Sequence, residues 1–309
     1  MKRMILYSLT LLVILPLAAL LNLLLAANTT LEWAVIALQT TALFALNRIV
    51  GRWYWFNFNT RHISLTILVL ALGYSYFMLE PTKSDSSNLL LGINLVILAF
   101  LLFFLLKAAR SAIPPVMPYP LVFPLEGDKY YTNEGGSSRL TNNHHVNQAQ
   151  RYALDFYQLD NLGRRCKGFY PKNPESYIIF GKPLYAPVTG TILRAQDGLH
   201  DMTPPELDEV NRAGNHVLIR TDDDKYIVMA HMKKGSVAVK EGERVAVGSL
   251  LGKVGNSGRS EEPHLHIHCM DTLEEDYVRC GSGIPIQFDG RFLVRNQLVS
   301  CAVSRPGMS

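Results

Sequence analysis

The chain has 309 residues, of which 48% are hydrophobic and 18% are charged, and its formal net charge is +4. Residues 1–110 contain eight Lys and Arg against three Asp and Glu, and the remaining residues contain 22 against 23. The basic excess therefore flanks apolar segments, where membrane proteins place it, which argues against nucleic-acid binding. The length has room for about two domains.

The N-terminal half contains four apolar segments, at residues 4–27, 31–50, 63–79 and 88–106. Each is close to the ~20 residues that a helix needs to cross a hydrocarbon core of ~30 Å. The first resembles a signal peptide but is long for one, and three more segments follow. We predict an all-α transmembrane anchor of about four helices over residues 1–110, with the lipid bilayer as its partner.

The positive-inside rule gives an orientation for this anchor. Its loop charges predict a cytoplasmic side for the residues that follow the fourth span. The basic residues concerned are Lys2, Arg3, Arg48, Arg52, Arg61, Lys107 and Arg110.

A Pro-rich segment, residues 111–124, predicts a stiff linker between the anchor and a second domain at residues 125–309. In that domain, short apolar runs alternate with turn signals, which predicts an all-β fold. The predicted strands are 177–180, 190–195, 215–221, 225–232, 250–254, 264–270 and 287–294, with one helical segment at 204–210.

The most informative motif is Pro-His-Leu-His at residues 263–266, which follows a Gly- and Ser-rich turn at 255–260. A strand turns successive side chains to opposite faces, so His264 and His266 share a face while Leu265 points into the core. Two imidazoles on one rigid strand can divide the chemistry, since one can bind a metal and the other can transfer protons.

Four blocks occur in order in this half: GKPLYAPVTG at 181–190, GNHV at 214–217, AHM at 230–232, and GNSGRS followed by PHLH at 255–266. They resemble the lysostaphin-type (LytM-like) zinc metalloendopeptidases, which have a duplicated-hybrid-motif β fold. The resemblance covers about residues 143–294. It implies one zinc ion per catalytic domain and hydrolysis of peptide bonds in peptidoglycan cross-links or stem peptides.

The resemblance also implies site residues. His266 and Asp155 correspond to zinc ligands, and His231 and His264 correspond to the two catalytic histidines. Two imidazoles and one carboxylate leave the fourth tetrahedral position open, as in catalytic zinc sites. No H-E-x-x-H motif occurs in the sequence, so a thermolysin-like glutamate base is excluded and the base must be a histidine.

The first histidine ligand departs from the commonest family pattern. Its usual position, four residues before the aspartate, holds Arg151, which stays protonated and cannot bind a metal. Some relatives place this ligand farther upstream, and here the corresponding segment is Asn143-His144-His145. We favour His145, with His144 as the alternative.

Among the remaining histidines, His200 and His216 are interpreted as solvated loop or strand-edge residues. His268 is interpreted as a residue outside the ligand set. Four cysteines, all in the second domain, are either buried thiols or disulfides, and the pair Cys269 and Cys280 closes the shortest loop. The cysteines are Cys166, Cys269, Cys280 and Cys301.

Two other functions remain open. The domain can be a non-enzymatic LytM-like module that binds cell wall or activates an amidase, although His231, His264, His266 and Asp155 are all present. It can also be a cytoplasmic tethered peptidase, as the loop charges indicate; we favour an extracytoplasmic domain because the wall lies outside. A biotinyl or lipoyl carrier is disfavoured because Lys182 and Lys240 lack the flanking signature.

Overall fold

The computed structural model describes residues 8–79, 88–127, 129–274 and 280–300. The chain divides into two compact units, Met1–Arg110 and Ser111–Ser309.

The first unit is helical in its described part. A π-helical turn at Thr10–Ile14 leads into α1 (Leu15–Leu25), followed by α2 (Thr30–Val50), α3 (Thr60–Phe77) and α4 (Asn88–Arg110). α2 begins at a capping motif, in which the Thr29 hydroxyl accepts a bond from the N–H of Glu32. The Glu32 carboxylate in turn accepts a bond from the N–H of Asn28. α2 packs against the other three helices.

Two of these helices, α2 and α4, are long and apolar enough to cross a membrane, and the first apolar segment forms a shorter helix over Thr10–Leu25. α4 carries large exposed apolar side chains along its length, among them Val96, Phe100 and Phe103. Each of the four predicted spans coincides largely with a helix. Only two of these helices are long and apolar enough to cross a membrane, so an anchor of four spans stays a prediction.

The second unit is β-rich, as predicted. The strands are β1 (Tyr119–Leu121), β2 (Tyr130–Glu134), β3 (Leu154–Gln158), β4 (Pro183–Tyr185), β5 (Gly190–Gln196), β6 (Asn215–Thr221), β7 (Tyr226–Met232), β8 (Arg244–Val245), β9 (Leu250–Lys253), β10 (Leu265–Met270), β11 (Gly283–Ile284), β12 (Ile286–Phe288) and β13 (Leu298–Val299). The main sheet has the strand order β13-β2-β3-β10-β7-β6-β5-β8, and β11 pairs with β10. Two further pairs are the parallel β1 and β12 and the antiparallel β4 and β9.

The segment predicted as a linker, residues 111–124, belongs to the second unit. Its strand β1 pairs with β12, and Leu121 and Phe123 enter the main hydrophobic core. Proline is compatible with such an edge strand because the strand hydrogen-bonds on one side only. The Pro-rich composition here therefore marks an edge of the fold.

Three predicted elements differ in the structure. Residues 177–180 form a turn, in which the N–H of Phe180 bonds to the carbonyl of Tyr177. Residues 204–210 are not helical, because the Asp208 side chain accepts the N–H groups of Val210 and Asn211 in a local turn. The last predicted strand, 287–294, ends at Phe288, where Asp289 adopts a positive φ of 50°.

The core lies on one face of the main sheet. β10 contributes Leu265, Ile267 and Cys269 to it, which confirms the predicted alternation of that strand. Next to them, the Phe123 ring packs edge-on against Phe156 and Phe288, with centroids 5.2 and 5.3 Å apart. The opposite face of β10 is left for its histidines.

Removing the Phe156 ring tests this packing. Phe156 is fully buried, so Phe156→Ala is expected to lower the free energy of unfolding of the second unit by about 3–5 kcal/mol. Hydrogen exchange of β6 and β7 peptides in the full chain measures this opening free energy. The control Phe169→Ala removes a ring that is 54% exposed and should change it little. Equal effects of the two variants would contradict the assigned core.

Candidate metal centre

The centre of the site is the pairing of β10 with its two neighbouring strands. The register places His266 opposite Asp155 on β3 and opposite Ala230 on β7. Residues opposite each other in an antiparallel pair project from the same face, so His266 and Asp155 meet without help from a loop. His266 Nδ1 lies 2.9 Å from Asp155 Oδ1, and both side chains are buried.

A second histidine reaches Asp155 from a short 3-10 turn, Asn143–Val146. His144 Nε2 lies 2.8 Å from Asp155 Oδ2. The buried Asn142 side chain holds this turn, because its oxygen accepts the N–H of His144 and its amide donates to the carbonyl of Ala153. Asn142 therefore ties the turn to the segment that enters β3.

The structure brings His144, and not the favoured His145, to Asp155 and His266. A 3-10 turn has three residues per turn, so consecutive side chains point about 120° apart and only one of the two can face Asp155. The His145 ring instead packs edge-on to Tyr152, with centroids 6.1 Å apart. Its Nδ1 is buried and has no hydrogen-bond partner among the described residues.

The donor set fits a metal ion. One donor atom each of His144, Asp155 and His266 lies within 4.8 Å of the others. Two imidazole nitrogens and one carboxylate oxygen match the ligand chemistry of catalytic zinc and leave a position open.

His231 and His264 lie beside this donor set. Their ring centroids are 4.9 Å apart, and the His231 ring is 5.7 Å from that of His266. His264 Nδ1 lies 2.8 Å from the carbonyl oxygen of Glu262, and His231 Nδ1 lies 2.9 Å from that of Ser257. A carbonyl only accepts, so in each ring Nδ1 carries the proton and Nε2 keeps a lone pair for proton transfer.

The backbone of β7 turns His231 toward the site. Asn215 and Val217 on β6 face Met232 and Met229, so β7 holds one extra residue there and bulges. His231 itself has a φ of 62°. A left-handed conformation of a non-glycine residue is uncommon and clusters at functional sites. The bulge places His231 on the same side as His266, although Ala230 already occupies that side in the regular alternation.

Residues 178–278 match the Peptidase family M23 model. This match lies within the second unit and covers about a third of the chain. The matched segment includes His231, His264 and His266, whereas His144 and Asp155 precede it. No curated protein matches the chain at a significant level.

Three solved structures are similar to the chain at low identity. The catalytic domain of the antimicrobial peptidase lysostaphin from Staphylococcus simulans is 22% identical, with 42% of this chain and 74% of that chain covered and a TM-score of 0.28. A putative M23 peptidase from Pseudomonas aeruginosa is 20% identical over 53% of this chain and 51% of that one, with a TM-score of 0.29. The deep-sea M23 metalloprotease pseudoalterin is 17% identical over 60% and 99%, with a TM-score of 0.32. These TM-scores are too low to support the fold assignment, which rests on the strand order of the second unit.

The pKa values of several residues in this candidate metal centre are shifted. Burial opposes ionisation of Asp155, but His144 and His264 outweigh it and hold the pKa of Asp155 well below its usual 3.8. Burial, together with His264 and His266, holds the pKa of His231 well below 6.5, and burial also lowers that of His266. Burial opposes protonation of His144 as well, but the Asp155 charge prevails and raises its pKa. A metal ion that binds here therefore competes with a proton for His144.

Two buried ion pairs support the loops around the candidate metal centre. Arg165 Nε lies 3.0 Å from Glu262, whose carbonyl fixes His264, and both side chains are 3% exposed. Arg295 Nη2 lies 2.6 Å from Glu134 Oε2, which also accepts the N–H of Asn143 beside His144. Neither pair could be predicted from the sequence, since their partners are 97 and 161 residues apart.

The other residues singled out by sequence are also located. His200 is exposed beside Lys234, as expected, whereas His216 is buried in β6 with Nδ1 2.7 Å from the carbonyl of Gly214. The interpretation of His216 as solvated is therefore wrong. Cys166, Cys269 and Cys280 are free thiols, so Cys269 and Cys280 are not joined in this structure. Cys301 lies outside the described residues.

The depressed pKa of His231 predicts a pH dependence of stability. Its pKa is near 6.5 in the unfolded chain and well below that in the fold, so between these values only the unfolded chain takes up the proton. The stabilisation is fully present above pH 6.5 and is lost as the pH falls toward the folded-state value. Between pH 7 and pH 5 this loss can reach about 2 kcal/mol, from 1.36 kcal/mol per pKa unit.

His231→Asn should remove this part of the acid destabilisation. Hydrogen exchange of β6 and β7 peptides in the metal-free full chain, at pH 7 and pH 5, measures the opening free energy of both proteins. The wild type should lose more of it on acidification than the variant. Equal losses in the two proteins would show that His231 is protonated in the fold.

Proposed function

We propose that the chain is a membrane-anchored zinc metalloendopeptidase that hydrolyses peptide bonds in peptidoglycan cross-links or stem peptides. The observation that carries the proposal is the convergence of His144, Asp155 and His266, with His231 and His264 alongside. The M23 match supports the reaction class. The resemblance of the four sequence blocks to lysostaphin-type enzymes supports peptidoglycan as the substrate class.

In this proposal His144 Nε2, His266 Nδ1 and one oxygen of Asp155 hold the zinc ion. Bound zinc polarises a carbonyl and lowers the pKa of water toward ~7. The carboxylate is already ionised in the fold, since its pKa is held well below the usual value. Neutral His266 likewise presents a lone pair at neutral pH, because burial lowers its pKa.

His231 and His264 carry out the proton transfers. Each has Nδ1 tied to a backbone carbonyl, so each ring is held in one orientation with Nε2 directed away from that carbonyl. His264 Nε2 lies 3.7 Å from Asp155 Oδ1. One Nε2 accepts a proton from the attacking water, and the other steadies the developing oxyanion or protonates the leaving amine. His231 suits the acceptor role because its low pKa keeps it neutral.

Three alanine variants of the full chain test the site. His144→Ala should lose both zinc and cleavage, whereas the neighbouring His145→Ala should keep both. His264→Ala should keep stoichiometric zinc and lose about 10²–10⁴-fold in cleavage rate. Zinc is measured by elemental analysis and cleavage by release of new amino termini from purified peptidoglycan. Loss of zinc in His145→Ala instead of His144→Ala would overturn the ligand set.

The alternative is a non-enzymatic module that binds wall or activates an amidase. Such a module does not need the ligand and base positions together, and here all five residues are present and close. Zinc binding without any cleavage of peptidoglycan would favour this alternative.

We further propose that residues 1–110 form a multi-pass membrane anchor and that the M23 domain is extracytoplasmic. The length and apolarity of α2 and α4 support the anchor. The proposed substrate, the cell wall, lies outside the cell, and this supports an extracytoplasmic domain. The count of basic loop residues favours the cytoplasmic side instead.

Cysteine labelling in intact cells tests this orientation. Cys280 is exposed, whereas Cys166 and Cys269 are buried. In a Cys301→Ser background, a membrane-impermeant maleimide should therefore label Cys280 without permeabilisation. The matched control is the same background with Cys280→Ser. Labelling of Cys280 only after permeabilisation would place the domain in the cytoplasm.

A further inference from the structure

The second histidine of β10, His268, lies behind His266. His268 Nδ1 is 3.0 Å from His266 Nε2, and the two ring centroids are 5.2 Å apart. The other nitrogen of His266 faces Asp155 at 2.9 Å. The His266 ring therefore has one nitrogen toward the donor set and one toward His268.

His268 is enclosed by the protein. It is 1% exposed and lies opposite Val228 on β7. Leu218, Val228 and Met270 belong to one apolar cluster on this side of the sheet. Such surroundings favour an uncharged imidazole, and a neutral imidazole has one donor and one acceptor nitrogen.

The hydrogen-bond requirement of a histidine ligand determines which ring nitrogen donates and which accepts between His266 and His268. A ligand histidine uses the lone pair of one nitrogen, so its other nitrogen carries a proton and needs an acceptor. With Nδ1 of His266 facing the donor set, that proton lies on Nε2. The atom within hydrogen-bond distance of Nε2 is His268 Nδ1.

We propose that His268 is a positioning residue of the zinc site, whose Nδ1 accepts the Nε2–H of His266 and so presents His266 Nδ1 to the metal. This rests on the zinc site of the proposed function, but not on its peptidase activity. His268 then carries its own proton on Nε2. That atom is buried and has no hydrogen-bond partner among the described residues. No hydrogen bond at Nε2 therefore competes with the one between His268 Nδ1 and His266.

A pair of variants separates positioning from packing. His268→Leu introduces an apolar side chain of similar size and removes the hydrogen-bond acceptor. His268→Gln introduces a side chain that still has an acceptor oxygen. The control His216→Gln removes another buried histidine, one that bonds to a backbone carbonyl. Zinc dissociation constants are measured on the full chain by competition with a chelator. The stability of each metal-free variant is measured by hydrogen exchange.

His268→Leu should bind zinc about 10–100-fold more weakly. His268→Gln and His216→Gln should stay within about threefold of the wild type. The visible absorption of the cobalt-substituted protein should change in His268→Leu and be restored in His268→Gln. If His268→Leu does not fold, His268→Phe keeps a planar ring and removes the nitrogen acceptor.

Unchanged zinc affinity in His268→Leu would overturn the proposal. Equal weakening in His268→Leu and His268→Gln, in proportion to lost metal-free stability, would also overturn it. A wild type that binds no zinc would overturn this proposal and the proposed function together. Zinc binding with the expected variant pattern but without cleavage would support His268 and remove only the peptidase.

Discussion

The buried carboxylate of Asp155 is the group around which the histidines of the candidate metal centre gather. An ionised carboxylate that is withdrawn from water carries a large desolvation cost unless nearby charges and hydrogen bonds compensate it. Here His144 and His266 each bring a ring nitrogen within 3 Å of one of its oxygens. This arrangement gathers imidazoles at one point, and a cation in their place would satisfy the same charge. The Asp155 carboxylate therefore favours a positive charge beside it, whether that charge is a protonated imidazole or a metal ion.

The surrounding structure determines how firmly each group is held. Asp155 and His266 lie on adjacent strands, so the ladder of the sheet fixes their separation. His231 and His264 are fixed differently, by backbone carbonyls of the turns that carry Ser257 and Glu262. These turns are long-range features, and the buried Arg165 anchors the second of them. Such anchoring keeps the rings oriented, which proton transfer requires.

Much of the fold and of this site could be predicted from sequence, for reasons that differ between residues. The alternation of β10 is a local pattern, so the shared face of His264 and His266 followed directly from it. The choice between His144 and His145 was not local, because it depends on the phase of a 3-10 turn that Asn142 sets through contacts with distant backbone. His231 was named only through a family resemblance. Its placement depends on a bulge that leaves no mark in the apolar pattern of β7. Likewise, a Pro-rich composition cannot distinguish a linker from the edge strand β1, whose partner β12 is far away in sequence.

The unusual position of His144 shows how the same donor geometry can arise from a different chain path. Arg151 occupies the position where the commonest family pattern has its first histidine ligand, and it cannot bind a metal. The chain instead supplies a histidine from a turn outside the sheet, and such a turn has no strand ladder to hold it. Glu134 takes over that function, because its carboxylate binds the N–H of Asn143 while Arg295 neutralises it. A buried pair of this kind contributes little net stability, but removing one partner is costly because the other charge remains. Its value here lies in specifying one position for the turn, so the third ligand depends on an ion pair where the other two depend on a sheet.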